Sequence, residues 1–533
     1  MVNFKVIADL LFPRLRVTKR DYEQLYKRRK FSKTQIVTRF APNTSGNFHL
    51  GFLYVAYVTI CAAKYSNGIC LLRIDDTDKK RERTKSLRTI TRIFNKLGII
   101  FEEGYGVGGD YGPYIQSKRK GIYEAFVYDL ITNGYAYPCF CTQETIDIKT
   151  REQLLRKVNT GYYGEWAKCR SLSFNEIKKR IKNKEPFVIR LKSFGNRKNK
   201  VVVNDMLLGK ISLEENDSDV IIMKSDGLPT YHFAVVVDDY LMKVTHVIRS
   251  SSGLPSTPIQ YQIAEYLGIQ TPKYLHLGAL MKIDGNIKRK LSRNIDKEFD
   301  IAKFSRIGIP NELLLMYILS LANNDFVEWF KTKNSNDISD FPFSINNCSP
   351  NGVLFSLDGL RVIGKEYFHN LPSENIYNML LEYTRQYDRG FNNIILANRQ
   401  LTISVLDSGK YADKPRKDIS CLQDFKKTYS YIYEQLYYKD AIIAESGKNI
   451  DLVENYIIEC YDDTVDKNTW LANIKKWCTM DNNNPSFENL CLIIMRVVAG
   501  TTKTIDLYDV MRLITKQNLL NRIKFCKRRV YAT

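Results

Sequence analysis

QIVTRFAPNTSGNFHLGFLYVAYVTICAAKYSNGICLLRIDDTD, residues 35–78, is the stretch on which the fold turns. Gln35–Phe40 is β-branched and reads as a strand that ends at Ala41-Pro42. A polar loop, Asn43-Thr44-Ser45-Gly46-Asn47, follows it. Gly51 to Lys64 is a mostly apolar run, long enough for a buried helix. Ile69–Ile74 reads as a second strand and leads into Asp75-Asp76-Thr77-Asp78. Strand, loop, helix, strand is the βαβ pattern of a parallel, nucleotide-binding sheet.

Outward from this core, the alternation continues to about residue 114. Residues 115–225 read as an inserted domain with mixed hairpin and helix signals. Strand patterns resume at Val220–Lys224, Tyr231–Val237, Val244–Arg249 and Tyr274–Leu280, which would complete the interrupted sheet. Beyond about residue 300 the spacing becomes helical, as in Glu312–Ala322, Asn375–Tyr387 and Leu507–Ile523. The expected fold class is therefore α/β, a Rossmann-like parallel sheet with an insertion, followed by an all-α C-terminal region.

A chain of 533 residues implies several domains of roughly 100–200 residues each. Eighty Lys and Arg against 58 Asp and Glu give a net charge of +22. Such a surplus suits a polyanionic partner, because pairing phosphates with Lys and Arg releases condensed counterions. A Lys-rich composition inherited from an AT-rich genome is the competing explanation. Eleven cysteines, with no small-residue cleavage site after MVNFKVIADLLFPRLRVTKR, point to a reducing compartment. The longest apolar run, Leu313 to Ala322, is about half of what a bilayer requires. A soluble, cytoplasmic protein with no membrane association is expected.

Three constellations carry chemistry. Arg39-Phe40-Ala41-Pro42 is followed by His49-Leu50-Gly51-Phe52 at a strand-to-helix junction. A helix N-terminus offers unpaired N–H groups to phosphates, and Gly51 would let a nucleotide approach closely. A histidine that merely caps the helix is the plainer reading. Lys290-Leu291-Ser292-Arg293 follows a turn at Asp284-Gly285-Asn286, and its cations can neutralise charge developing on phosphates. Taken alone it is one basic tetrapeptide in a basic chain. Cys139-Phe140-Cys141 with Cys169 offers three thiolates for zinc, with Tyr163 as the fourth ligand. Buried, inert cysteines are the alternative.

The first two constellations, in this order around an interrupted α/β sheet, resemble the HIGH and KMSKS signatures of class I aminoacyl-tRNA synthetases. The text between them narrows the resemblance to glutamyl-tRNA synthetases of the bacterial type. TRFAPNTSGNFHLGFLYVA is similar to that family's RFAPSPTGxxHIGG segment, and LLRIDDTDKKRERT to LRIEDTDxxR. DYGPYIQSKR, Gly134–Glu144, SDGLPTYHFAVVVDDYLMKVTHVIR and MRVVAGTTKTIDLYDVM match in place, so the resemblance runs from about residue 35 to 523.

This resemblance implies ATP-dependent ligation of L-glutamate to tRNA(Glu) through a glutamyl-adenylate, with Mg2+ on the triphosphate. Arg39 and Arg249 stand where the family binds the side-chain carboxylate, a task suited to guanidinium. Asp75 matches an acid that holds the α-amino group, while Tyr231 and Ala41 line the amino-acid pocket. His49 and Gly51 match ATP-phosphate contacts, with Lys290 and Arg293 on the signature loop. It also implies zinc in the inserted domain of some members. The implied parts are an N-terminal extension (1–34), a catalytic domain in two halves (35–114 and 226–282) and an acceptor-stem-binding insertion (115–225). A signature-loop and stem-contact domain (283–370) and a helical anticodon-binding domain (371–533) complete the chain. A monomer is expected.

Four departures bear on activity rather than fold. Asn43-Thr44-Ser45-Gly46 replaces Ser-Pro-Thr-Gly. Ser250-Ser251-Ser252-Gly253 replaces acids followed by Trp or His. Arg293-Asn294 replaces Lys-Arg, and Asp75 replaces a glutamate. They motivate an alternative, a catalytically impaired synthetase paralogue that acts as a tRNA-binding protein. A glutaminyl enzyme would be expected to end in β-barrels rather than helices. The Tyr-rich stretch 428–438 suits either base stacking or a helical core.

Overall fold

The computed structural model describes residues 4–42, 49–78, 84–292, 295–333, 336–440, 445–481 and 484–531. The chain forms two compact units. The first comprises Met1–Ile301, Ile318–Val327 and Asp340–Phe355, and the second Ala302–Tyr317, Glu328–Ser339 and Ser356–Thr533.

The first unit opens with helices α1 (Phe4–Leu11) and α2 (Lys19–Leu25). Strand β1 (Val37–Phe40), helix α3 (Leu50–Tyr65) and strand β2 (Ile69–Leu72) form the expected βαβ unit, in parallel register from Val37↔Ile69 to Phe40↔Leu72. Helix α3 is apolar nearly all round, as an interior helix must be, and buries Leu50, Leu53, Ala56, Ile60 and Ala63 among others. Helix α4 (Thr84–Lys96) leads to β3 (Glu103–Gly104), which pairs parallel with β2.

The next stretch holds α5 (Lys120–Thr132), β4 (Ala136–Cys139), α6 (Gln143–Leu155), α7 (Phe174–Lys182) and β5 (Val188–Leu191). After these come the hairpin β6 (Lys200–Asp205) and β7 (Gly209–Glu214), then β8 (Ile221–Met223). Strands β4, β5 and β8 make a separate antiparallel sheet. The β6–β7 hairpin instead joins the parallel sheet, because β6 pairs parallel with a later strand.

Helix α8 (Tyr231–Leu241), β9 (His246–Ser250), α9 (Thr257–Leu267) and β10 (Lys273–Leu277) follow, with β9 and β10 parallel. The Thr245 N–H donates to the Val37 carbonyl at 2.9 Å, and the Val37 N–H donates to Thr245 Oγ1 at 2.8 Å. These bonds set β9 beside β1. Across that junction the strands run β3-β2-β1-β9-β10-β6-β7, and the order reverses between β1 and β9, where α/β sheets bind ligands. Strands β11 (Leu280–Asp284) and β12 (Ile287–Lys290) form a hairpin, and β13 (Val353–Leu354) pairs parallel with β11.

Tyr231–Val237, expected as a strand, is the start of helix α8. Its run Phe233–Val237 is wholly buried. A short, fully apolar, β-branched segment suits a buried strand and a buried helix equally, and here burial on every side decides for the helix. Tyr274–Leu280 divides between β10 and β11.

The core behind the sheet joins Phe126, Leu130, Phe233, Val247 and Ile263 from α5, α8, β9 and α9. The N-terminal segment is stitched to it. Ile7 and Ala8 enter that core, and Arg29 binds both Glu103 carboxylate oxygens at 2.7 and 2.8 Å.

The second unit is largely helical. Leu507–Ile523, read as one helix, is two, Leu507–Ile514 and Lys516–Tyr531. Thr515 breaks them at φ 71°. No Gly or Pro marks that break. Asp463, from elsewhere in the chain, accepts the Lys516 N–H at 3.3 Å. In the Tyr-rich stretch, Tyr429, Tyr431, Tyr433 and Tyr437 are buried, so these rings build the helical core. Among the described residues no helix is long and apolar enough to cross a membrane.

Candidate active site

At the switch between β1 and β9 lies a cavity of ≈ 350 Å³. Strand β1 supplies Arg39 and, just past its end, Ala41. The start of α3 supplies His49 and Gly51, and the segment after β2 supplies Asp75. Tyr231 opens α8, Arg249 ends β9 and Lys290 ends β12. All eight line this one cavity. Arg293, Asn294 and the Asn43–Gly46 loop fall outside the described residues.

His49 both caps a helix and faces the cavity. Its Nδ1 accepts the Gly51 N–H at 2.9 Å, which meets one of the unpaired donors of α3. A Cβ on residue 51 would stand 2.7 Å from His49 Cε1, so glycine is what lets the ring fold over the helix start.

Behind the cavity sits a buried charge network that sequence reasoning missed. Arg73 is fully buried, with Nε 2.8 Å from Asp75 Oδ1 and a terminal nitrogen 2.6 Å from Asp239 Oδ1. Arg39 Nε donates to both Asp239 oxygens at 3.2 and 3.1 Å. Arg119 Nε, the Tyr123 hydroxyl and Gln116 Nε2 all donate to Asp238 at 2.7–2.9 Å. Guanidinium and carboxylate thus alternate, as buried charges require. The sequence signal was the acids of AVVVDDYL, set in an apolar run where no unpaired carboxylate could survive.

Burial pushes the Asp75 carboxyl up to about 6, against the pull of Arg73. Burial also pushes Asp239 up, but Arg39 and Arg73 outweigh it and hold that carboxyl below its ordinary value. Asp75 is therefore the acid at this cavity poised to change charge near neutrality.

Arg249 is gripped by neutral groups. Nε donates to His276 Nε2, and the two terminal nitrogens donate to Gln260 Oε1 and Thr257 Oγ1, each at 2.9 Å. The departure at Ser250–Gly253 leaves this grip intact. A Cβ at Gly253 would lie 2.8 Å from Arg249 Cδ and Nε, so glycine gives the arginine its room. Ser252 Oγ also accepts from Lys290 Nζ at 3.0 Å, joining the departure to the signature loop.

That loop has its own anchor, Asp296. It accepts from Lys282 Nζ at 3.0 Å, from both terminal nitrogens of Arg289 at 2.7 and 2.6 Å, and from the Ser292 N–H at 2.7 Å. Arg289, aided by the Ser292 N–H and Lys282, keeps the Asp296 carboxyl far below the usual range.

Elsewhere in the unit, Cys139, Cys141 and Cys169 bring their sulfurs within 4.8 Å of one another. They are the one such group with metal-ligand spacing among the described residues. Cys141 and Cys169 are 3.6 Å apart, close to the ~3.8 Å edge of a tetrahedral zinc–thiolate site. Three thiols at this spacing, two of them buried and the third half-buried, make a donor set that suits a metal. The tyrosine at the cluster is Tyr162 rather than Tyr163. The Tyr162 hydroxyl lies 3.4 Å from Cys139 Sγ and 3.2 Å from Cys141 Sγ. Tyr163 turns away and donates to the Asn159 carbonyl at 2.6 Å. Adjacent tyrosines in an irregular loop carry no periodicity to tell them apart.

Residues 35–341 match the family described as "tRNA synthetases class I (E and Q), catalytic domain". The chain is 35% identical to a "Glutamate--tRNA ligase" of Acetivibrio thermocellus, over 98% of this chain and all of that one. It is 34% identical to one of Clostridium perfringens, again over 98% and 100%. Its fold is similar to that of a glutamate tRNA ligase of Elizabethkingia meningosepticum, crystallised in complex with its amino acid. That likeness has a TM-score of 0.76 at 25% identity and covers 93% of this chain and 100% of the other. With its parallel sheet, its cavity at the switch point and these full-length relatives, the chain belongs to the glutamyl-tRNA synthetases of class I.

Proposed function

We propose that this cavity activates L-glutamate with ATP and passes the glutamyl group to tRNA(Glu). The observation that carries this reading is the meeting of Arg39, Asp75 and Arg249 with His49 and Lys290 at one cavity. Arg39 and Arg249 take the side-chain carboxylate, Asp75 holds the α-ammonium, and Tyr231 and Ala41 close the pocket wall. His49 and Gly51 meet the phosphates, and the cations of the signature motif, Lys290 and Arg293, neutralise their charge.

The glutamate α-carboxylate attacks the α-phosphorus of ATP, and pyrophosphate leaves. The terminal ribose hydroxyl of the tRNA then attacks the anhydride carbonyl, and AMP leaves. Magnesium accompanies ATP as part of the substrate. The chain's share is positioning and neutralisation of charge. The stretch 115–225 would receive the acceptor stem and residues 371–533 the anticodon, in a cytoplasmic enzyme acting as a monomer. The intact grip on Arg249 speaks for an active enzyme over an impaired tRNA-binding paralogue. Charging of purified tRNA(Glu) and tRNA(Gln) with radiolabelled glutamate tests the reading. Charging of tRNA(Glu) is expected, and folded protein that charges neither tRNA would overturn it.

Asp75 makes the activity pH-dependent. Its carboxylate attracts the substrate ammonium only when ionised, so glutamate KM should be flat at pH 7–8 and rise as pH falls through about 6. In Asp75→Asn, KM should be high throughout and lose this slope, as steady-state pyrophosphate exchange would report.

Cys139, Cys141 and Cys169, with Tyr162 beside them, would hold structural zinc, which would pin the loop around Cys169 to the end of β4. Metal analysis should give about one zinc per chain, falling to about none in a Cys141→Ser variant. Full metal content in that variant would place the zinc elsewhere.

A further inference from the structure

Arg249 leans on a buried relay that takes no direct part in the reaction. Strand β10 lies between β6 and β9, with Tyr274 opposite Asp205 and His276 opposite Arg249. The side chains of Asp205 and His276 are fully buried. Asp205 Oδ2 lies 2.7 Å from His276 Nδ1 and accepts the His276 backbone N–H at 3.1 Å. Asp205 Oδ1 accepts the N–H groups of Leu207 and Leu208 at 3.0 and 2.9 Å. Tyr274 stacks on the His276 ring at an interplanar angle of 7°, and the Arg249 guanidinium sits 5.0 Å from the Tyr274 centroid.

These bonds admit one form of the imidazole. A guanidinium N–H cannot accept, so Nε2 must present its lone pair to Arg249, while a carboxylate opposite Nδ1 requires the proton there. A proton on Nε2 would set two donors face to face across 2.9 Å. Arg249 has five N–H donors, and His276, Gln260 and Thr257 occupy three. Two remain on a side chain that lines the cavity, the number a bidentate carboxylate takes.

The geometry points to His276 as the positioning residue for Arg249. Asp205 fixes the Nδ1–H tautomer, the tautomer leaves Nε2 as an acceptor, and that acceptor orients the guanidinium for the substrate's carboxylate. This rests on the reading of Arg249 as a contact of the glutamate side chain.

The test is ATP–pyrophosphate exchange on the full chain with tRNA present and glutamate titrated. Asp205→Asn keeps the size but offers an amide N–H to Nδ1, which drives the proton to Nε2 against Arg249. Glutamate KM should rise about tenfold, with ATP KM within about twofold. His276→Gln has an amide oxygen for Arg249 and no tautomer to lose, so it should keep glutamate KM within about threefold. In the His276→Gln background, Asp205→Asn should add nothing to glutamate KM.

If Asp205 serves only as a cap for Leu207 and Leu208, its substitution lowers kcat or raises both KM values equally in the two backgrounds. That result would overturn the proposal, as would an unchanged glutamate KM for Asp205→Asn beside His276. Should Asp205→Asn not fold, His276→Leu, which removes the acceptor, carries the same tenfold expectation. Arg249→Gln separates the two levels. If it leaves glutamate KM unchanged, the substrate reading falls and the relay with it; if it raises KM while Asp205→Asn does not, the relay alone falls.

Discussion

Arg73→Met is expected to cost about 3–5 kcal/mol of stability, because it strips the counter-charge from buried carboxylates while leaving them in place. Arg73 has no exposed surface, bridges Asp75 and Asp239, and stands 3.8 Å from Asp238. Without it, Asp75 loses the ion pair of its immediate neighbour, and Asp239 depends on Arg39. Arg73→Lys should recover only part of the loss, since one ammonium cannot span both carboxylates as a planar guanidinium does. Urea unfolding at pH 8 measures the difference, and the defect should shrink at pH 5, where a protonated Asp75 no longer needs a partner. A loss below about 1 kcal/mol for Arg73→Met would mean that the network is incidental to the fold.

Lys290→Ala is expected to slow adenylate formation by about 10²–10³ in kcat, with glutamate KM nearly unchanged. Lys290 lies at the end of a short hairpin and lines the same cavity as Arg39 and Asp75, with a different chemical task. Its charge matters when negative charge builds on the phosphates, not when the amino acid binds. The bond to Ser252 is a resting contact between a neutral hydroxyl and a lysine, so Ser252→Ala should change kcat by less than about threefold. Single-turnover formation of AMP-linked glutamate, followed by quenched flow, separates these outcomes. A large rise in glutamate KM for Lys290→Ala would instead assign the lysine to substrate binding.

The βαβ start was legible in the sequence because its strands, helix and breakers each carry a local signal. Val37–Phe40 is rich in β-branched and aromatic residues, Ile69–Leu72 is a short apolar run, and Leu50–Tyr65 is too long to be a strand. Tyr231–Val237 misled for the opposite reason, since a five-residue buried run lacks a period. Thr515 was invisible because its helix break is fixed by Asp463, a residue distant in sequence. The cavity residues were found through motifs, which name the groups that touch substrate. Motifs are silent about the groups that hold those residues still. The supporting roles of Arg73, Asp239 and His276 emerge only where folding brings them within 3 Å of their partners.

The bonds between Val37 and Thr245 span 208 positions of sequence. A ribosome adding about 5–20 residues per second needs roughly 10–40 s to make that stretch. Throughout that interval the nascent β1 edge, fully buried in the finished sheet, has no neighbour on its β9 side. The inserted residues emerge meanwhile and can collapse on their own antiparallel strands. The catalytic half of the protein is thus the part that waits, and cellular holdases would find β1 and α3 a natural early client.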